Sequence, residues 1–126
     1  MSFTPKTELA WAAGLFDGEG SLTCTMNGGT LRSKTGYIGT PRVQVQIGQS
    51  YSPEVLERFK DAVGVGYVLG PYTKAGHGPR WQFTTVKYEA CQWIVIQLWP
   101  YLSGPKKDQM KAAFKKHHDF WAEKAA

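Results

Sequence analysis

Two carboxylates stand at the C-terminal end of the first helix that the sequence predicts. Residues 12–20 are Ala-Ala-Gly-Leu-Phe-Asp-Gly-Glu-Gly, so Asp17 and Glu19 follow a short apolar run and are flanked by glycines that end a helix. The negative end of a helix dipole repels acids by roughly 0.3 to 1 kcal/mol each, and stability alone would favour Lys or Arg there. The pair of acids therefore indicates chemistry.

Glu19 suits the binding of a divalent cation. A carboxylate beside a backbone carbonyl is an ordinary set of ligands for Mg²⁺, which polarises a phosphate and lowers the pKa of an attacking water. One carboxylate is too few for such a site, and a second copy of the chain, related by two-fold symmetry, would bring another Glu19. For Asp17 two interpretations stay open: a direct role at this site, and hydrogen bonding to backbone donors that tightens the turn.

The first helix also contains small residues through which two copies of the chain could meet. Small side chains at helical spacing allow a second helix backbone to approach closely. Ordinary packing against the chain's own core is the alternative. The candidate residues for a dimer interface are Ala10, Ala13, Gly14 and Asp17.

The composition indicates one globular domain, residues 1–126. Hydrophobic residues make up 42% of the chain and aromatic residues 13%, and no stretch approaches the roughly 20 apolar residues of a membrane helix. The N-terminus resembles neither a secretion signal nor a transit peptide, so we expect an intracellular protein of an organelle, a bacterium or a phage host. Cys24 and Cys91 are far apart and outside any CxxC pair, which predicts buried free thiols.

The periodicity of the apolar residues predicts an α+β fold. Alternation predicts strands over about residues 21–27, 42–47, 66–73 and 80–85, and helical spacing predicts helices over about 7–17, 53–64, 87–98 and from 105 onward. Residues 28–39 are rich in Gly, Ser and Thr and predict a long loop. This order of elements implies a four-stranded antiparallel sheet with its helices on one face.

The other face of that sheet is predicted to be polar and free of negative charge. No Asp or Glu occurs from residue 20 to 53 or from 62 to 88, whereas six Lys and Arg residues fall within those two windows. A merely solvated face usually mixes both signs of charge. Together with the net charge of +5, this pattern favours nucleic-acid binding over plain solvation.

Residues 12–20 resemble the LAGLIDADG motif of homing endonucleases and related intron maturases. Five of the nine positions are identical to the motif, namely Ala13, Gly14, Leu15, Asp17 and Gly20. The other four depart from its letters in ways that family members often do. Segments 64–68 and 98–102 are similar to the small homodimeric branch, so the resemblance covers about residues 9–109.

The resemblance implies an αββαββα fold, dimerisation through the motif helices, and double-stranded DNA held in the saddle of two sheets. The implied activity is a metal-dependent double-strand break at a long pseudo-palindromic site, as expected of an intron-encoded nuclease that acts as a homodimer. Base contacts are expected from Ser21, Thr23, Thr25, Arg42, Gln44, Gln46, Arg80, Gln82 and Thr84, and loop contacts from Arg32, Lys34 and Lys74.

The resemblance also implies roles for residues at the cleavage site. Glu19 and the carbonyl of Gly18 are expected to bind Mg²⁺ or Mn²⁺, Gln49 to order active-site water, and Lys106 to stand near the scissile group. Lys107 is an alternative to Lys106, because the preceding loop differs in length from the family pattern. Tyr51 and Ser52 stand where the branch has an arginine.

Two other functions are alternatives to the nuclease. One is a non-cutting binder with the same fold, either a maturase with intron RNA as its partner or a DNA-binding regulator. Glu19 argues against it, because a carboxylate close to nucleic acid adds repulsion and gives a binder little in return. The other is a structural domain that dimerises through Gly14, which predicts only weak and nonspecific affinity for DNA.

Overall fold

The structure, a computed structural model, describes residues 4–27 and 39–125, and it confirms the predicted order of helices and strands. Of the helices in these ranges, none combines the length and apolar composition that a membrane crossing requires. The elements are α1 (Lys6–Glu19), β1 (Gly20–Asn27), β2 (Thr40–Ser50), α2 (Glu54–Val63), β3 (Tyr67–Lys74), β4 (His77–Thr85), α3 (Tyr88–Leu98), a 3₁₀ turn (Trp99–Tyr101) and α4 (Gly104–Ala125).

The hairpin between β3 and β4 is tighter than the sequence predicts. Six residues from Lys74 to Pro79 were expected to form a turn, but β4 already begins at His77. The connection is only Ala75 and Gly76, and Gly76 has a φ of 82°. A two-residue hairpin needs such left-handed backbone, which glycine adopts without strain. The polar strand residues therefore extend farther along the sheet than expected.

The four strands form one antiparallel sheet in the order β1-β2-β4-β3. Side chains alternate between its faces, so Leu22, Val45 and Phe83 are fully buried beneath the helices. The neighbouring positions face the opposite way and are only partly covered. The helices therefore cover one face of the sheet, which confirms the α+β architecture.

Three aromatic rings connect α1 to the sheet through α2. Phe16 of α1 stacks on Phe59 of α2 with 6.4 Å between ring centroids, and Phe59 meets the edge of Phe83 of β4 at 4.9 Å. All three rings are fully buried. Because Phe16 lies in the last turn of α1, this packing fixes where the helix ends relative to the strands.

Helix α4 covers the unpaired edge of β1. An edge strand leaves backbone groups without partners, and here side chains of α4 supply them. Lys106 Nζ donates to the carbonyl of Gly20 at 2.7 Å, the N–H of Leu22 donates to Gln109 Oε1 at 3.3 Å, and Lys116 Nζ donates to the carbonyl of Cys24 at 3.0 Å. The spacing of three and seven residues keeps the three side chains on one face of the helix.

Both cysteines are buried and free, as the sequence predicts. Burial raises the pKa of the Cys91 thiol to about 11. The Cys91 thiol lies against the carbonyls of Val43 and Thr85, at 3.7 Å and 3.6 Å. A buried thiol with a raised pKa is a poor nucleophile, so Cys91 acts as a core residue.

We expect Gly20→Ala to lower the free energy of unfolding by about 1 to 3 kcal/mol through overpacking. A Cβ at this position would lie 2.5 Å from Cδ2 of Phe16, a ring that the core holds in place. Gly104→Ala is the matched control, because a Cβ there meets no atom within 4 Å. Urea unfolding of the two variants measures the difference, and equal stability would contradict the close contact at Gly20.

Candidate metal and nucleic-acid site

Glu19 is the last residue of α1, and its side chain is oriented by the neighbouring strand. The residue is exposed, and its Oε2 accepts a hydrogen bond of 2.6 Å from Nε2 of Gln49. The pairing of Gly20 with Ile47 brings the end of β2 beside the start of β1, so Gln49 reaches the carboxylate. The structure thus brings together Glu19 and Gln49, which are thirty residues apart in the sequence.

The carbonyl of Gly18 offers a second oxygen at the same helix end. In a continued helix it would accept from the N–H of Leu22, four residues later. That N–H instead donates to Gln109, since the chain has turned into β1. The Gly18 carbonyl therefore lacks its helical donor and is available to another partner.

One copy of the chain forms no metal site from clustered side chains in the part that the structure describes. Within the described ranges, no group of three or more His, Cys, Asp or Glu side chains could hold a metal. Mg²⁺ prefers six oxygen ligands and commonly takes several of them from water and substrate phosphate. The Glu19 carboxylate and the Gly18 carbonyl are oxygen donors of the kind that such an ion accepts.

Lys106 and Lys107 occupy different surroundings. Lys106 Nζ bonds to the Gly20 carbonyl, one residue after Glu19, and lies 5.5 Å from the centre of the Phe16 ring. Lys107 Nζ instead lies 5.2 Å above the ring of Trp99. Of the two alternatives, the structure places Lys106 beside the end of α1.

The Asp17 carboxylate is occupied within the protomer. Its two oxygens accept from the backbone N–H of Ser103 at 3.1 Å, and Oδ1 also accepts from the Ser103 hydroxyl at 3.0 Å. These bonds join the end of α1 to the residue that precedes α4. Of the two interpretations left open, hydrogen bonding to a backbone donor is the one observed, and its donor lies on a distant segment. The expected contact of Asp17 with a second copy of the chain stays a prediction.

The small residues that α1 exposes are not all the ones that the sequence predicts. Ala10, Gly14 and Gly18 are exposed at a spacing of four residues, and a Cβ added at either glycine would meet nothing within 4 Å. Ala13 is fully buried in the protomer's own core beside Ala12. Ala13 therefore is not on the surface that a second helix could contact, which corrects that assignment.

The expected base-contacting residues share one face of the sheet. Thr23 pairs with Gln44, and Gln46 pairs with both Ser21 and Thr84. Gln44 Nε2 also donates to the hydroxyl of Thr84 at 3.1 Å, which ties β2 to β4 across that face. The residues at these outward positions are Ser21, Thr23, Thr25, Arg42, Gln44, Gln46, Arg80, Gln82 and Thr84.

Of the three expected loop contacts, one can be placed. Lys74 is the last residue of β3, is exposed, and pairs with His77 across the hairpin. Arg32 and Lys34 lie outside the described residues.

An open cleft runs from the outward face of the sheet to the end of α1. Its volume is about 470 Å³. Glu19 lines it together with Arg80, a residue that the sequence suggested only as a base contact. The residues that line it are Glu19, Ser21, Gln46, Gly48, Tyr72, Arg80, Trp81 and Gln82.

Among known proteins, this chain is similar in fold to several solved structures. No family model and no curated protein matches the chain. The group I intron-encoded homing endonuclease I-CeuI, solved in complex with DNA, has a TM-score of 0.70 and 18% identity over 99% of this chain and 60% of its own. The LAGLIDADG meganuclease I-CpaMI, bound to uncleaved DNA, has a TM-score of 0.69 and 18% identity over 93% of this chain and 39% of its own.

A third similar structure is the homing endonuclease I-CvuI in complex with its target and Ca. Its TM-score is 0.60 and its identity 22%, over 78% of this chain and 58% of its own. This chain has the LAGLIDADG homing-endonuclease fold. It spans about three fifths of the length of I-CeuI and I-CvuI.

Strand β3 of the LAGLIDADG fold adds apolar and aromatic residues to the polar sheet face. These residues were not predicted to lie there. Tyr67, Leu69 and Tyr72 are 62%, 43% and 52% exposed, and they pair with Thr84, Gln82 and Arg80 respectively. The spacing changes between Leu69 and Tyr72 because the register shifts there. Simple alternation therefore could not assign Tyr72 to this face, although Tyr67 and Leu69 alternate regularly.

We expect Asp17→Ala to lower the free energy of unfolding by about 1 to 2 kcal/mol, because the N–H and hydroxyl of Ser103 lose a charged acceptor. Ser103→Ala removes only the hydroxyl bond and should lower stability less. The double variant should lose less than the sum of the single changes, since both remove one shared interaction. Thermal unfolding of the four proteins tests this, and strict additivity would contradict it.

Proposed function

We propose that this chain is a site-specific DNA endonuclease that uses Mg²⁺ or Mn²⁺ and acts as a homodimer on a long pseudo-palindromic site. The observation behind this proposal is the Glu19 carboxylate, oriented by Gln49, at the end of a polar sheet face whose strands contain no acid. The three solved structures described above are named as homing endonucleases or a meganuclease; I-CeuI and I-CpaMI were solved with DNA, and I-CvuI with its target.

The outward sheet face suits a DNA groove. Its Arg, Gln, Thr and Ser side chains offer donors and acceptors to base edges, and its lack of carboxylates removes repulsion from the phosphates. A merely solvated face would gain nothing from the absence of acids over two windows of more than twenty residues each.

The groups around the end of α1 suit hydrolysis of a phosphodiester. A bound Mg²⁺ would polarise the phosphate and acidify a water. Gln49 holds the Glu19 carboxylate in one orientation through its 2.6 Å hydrogen bond. Lys106, held on the Gly20 carbonyl, places a positive charge near the same point, where it would stabilise negative charge that develops on the phosphate.

Dimerisation would supply the second set of these groups. Cutting both strands of a duplex needs two reacting centres, and one chain has one Glu19. The exposed Ala10, Gly14 and Gly18 would let the α1 helices of two copies approach closely and bring both Glu19 residues toward the two-fold axis. A symmetric protein would then prefer a pseudo-palindromic duplex.

We expect Glu19→Gln to abolish cleavage and to leave DNA binding in Ca²⁺ within about threefold, because it removes a metal ligand and adds no bulk. Selecting cleaved sites from a randomised DNA pool with the wild-type protein and Mg²⁺ provides the duplex. Single-turnover cleavage and a gel-shift titration on that duplex measure the two effects.

Glu57→Gln is the matched control for this variant. Glu57 is an exposed acid on α2, so the same chemical change there should alter neither binding nor cleavage. Cleavage by Glu19→Gln at the wild-type rate would refute the metal assignment. A wild-type protein that binds a selected duplex and cuts nothing would instead favour the non-cutting binder, whether of DNA or of intron RNA.

We expect Gly14→Leu to weaken the dimer at least about tenfold, because a bulky side chain would keep the two α1 backbones apart. A single copy has room for it, since nothing lies within 4 Å of a Cβ at this position. Analytical ultracentrifugation measures the association, and circular dichroism checks that the helix content is retained.

Gln92→Leu on α3 is the control for an added apolar side chain, because Gln92 is exposed on a different helix. It should leave the association unchanged. If Gly14→Leu associates as the wild type does, α1 is not the dimer interface.

A further inference from the structure

Arg80 extends toward the end of the sheet that contains Glu19. It pairs with Ser50 across β2 and β4, whereas Gly48 pairs with Gln82. The Arg80 side chain nevertheless approaches Gly48, since a Cβ added to that glycine would lie 3.1 Å from Arg80 Nη2. The guanidinium therefore lies diagonally across β2, over a residue that has no side chain.

The position of Gly48 relates Arg80 to the candidate metal site. Gly20 pairs with Ile47, so Gly48 lies level with the junction of α1 and β1. Glu19 and Arg80 both line the cleft of about 470 Å³. A β-branched or longer residue at position 48 would occupy the space that the guanidinium uses, so the glycine keeps the path toward Glu19 open.

The charge of Arg80 is available to a ligand. Within residues 4–27 and 39–125, no carboxylate lies at salt-bridge distance from its guanidinium. Arg80 is exposed, and Tyr72 and Trp81 line the same cleft.

We propose that Arg80 binds the DNA phosphate that is cleaved beside Glu19, instead of reading the edge of a base. This inference rests on the proposed function. A guanidinium presents its donors in a planar fork that matches two oxygens of a phosphate, and it stays charged throughout the reaction. Arg80 would thereby stabilise negative charge on the phosphate from the side of β4, whereas Lys106 acts from the side of α4.

The first test is the rate of cleavage under single-turnover conditions with saturating protein. Arg80→Gln should cleave the selected duplex about 100-fold more slowly than the wild type, a loss typical of removing one donor to a transition-state oxyanion. Arg80→Lys, which keeps the charge, should recover part of that loss. Arg58→Gln is the matched control: Arg58 lies on α2 and pairs with Glu8, outside the sheet face and the cleft, so this variant should leave the saturated rate within about threefold.

The second test is binding in Ca²⁺ to duplexes in which single phosphates are replaced by neutral methylphosphonates. Replacement at the cleaved phosphate should weaken binding by the wild type and by Arg58→Gln. It should weaken binding by Arg80→Gln at least about threefold less, because the guanidinium that contacts this phosphate is already absent. Thermal unfolding of each variant verifies that Arg80→Gln is folded.

Three outcomes are decisive. A slowed Arg80→Gln that is insensitive to the methylphosphonate supports the proposal. An Arg80→Gln that cleaves at the wild-type rate but accepts altered base pairs overturns it and makes Arg80 a base contact. A wild-type protein that cuts no DNA overturns the proposed function itself, and this result is distinct from an unchanged Arg80→Gln beside an active wild type.

Discussion

The position of the α1 C-terminus is the constraint on which the candidate site depends. The buried Phe16 ring anchors this helix end in the core, where removing a phenylalanine typically costs about 3 to 5 kcal/mol. Hydrogen bonds from Ser103 to Asp17 and from Lys106 to Gly20 hold the same end at the surface, each with a net value of about 1 kcal/mol. The ring therefore sets where the helix ends, and the polar bonds set how its last residues are oriented.

The fold follows from patterns that are local in the sequence. Alternation in β1, β2 and β4 and helical spacing in α2 correspond to the faces that the core buries, because burial of apolar surface dominates the stability of such elements. The predictions that were wrong concern segments in which the local sequence pattern is weak. The turn before β4 was predicted too long because Gly78 and Pro79 suggest a loop, yet both belong to the strand. The register shift in β3 likewise has no periodic signature.

The site is predictable only where one segment contains its residues. The position of Glu19 at the end of α1 was predictable because the motif and the helix-ending glycines lie within nine consecutive residues. The partner of Asp17 is 86 residues away, so no spacing rule could have identified Ser103. Ala13 and Gly14 are adjacent small residues, and only the packing of α1 decides that the first is buried and the second exposed. The presence of Arg80 and Glu19 in one cleft likewise depends on the register of three strands.

The fold of a single chain does not explain the glycines on the exposed face of α1. A glycine within a helix is less favourable than alanine by roughly 0.5 to 1 kcal/mol, because the backbone loses more freedom on folding. The structure gives Gly14 and Gly18 no compensation, since alanine would fit at both without a contact. Selection for the stability of a single chain would therefore favour alanine. Close approach of a second α1 backbone is the physical circumstance in which a missing side chain is an advantage, and it would occur at the helix end that bears Glu19.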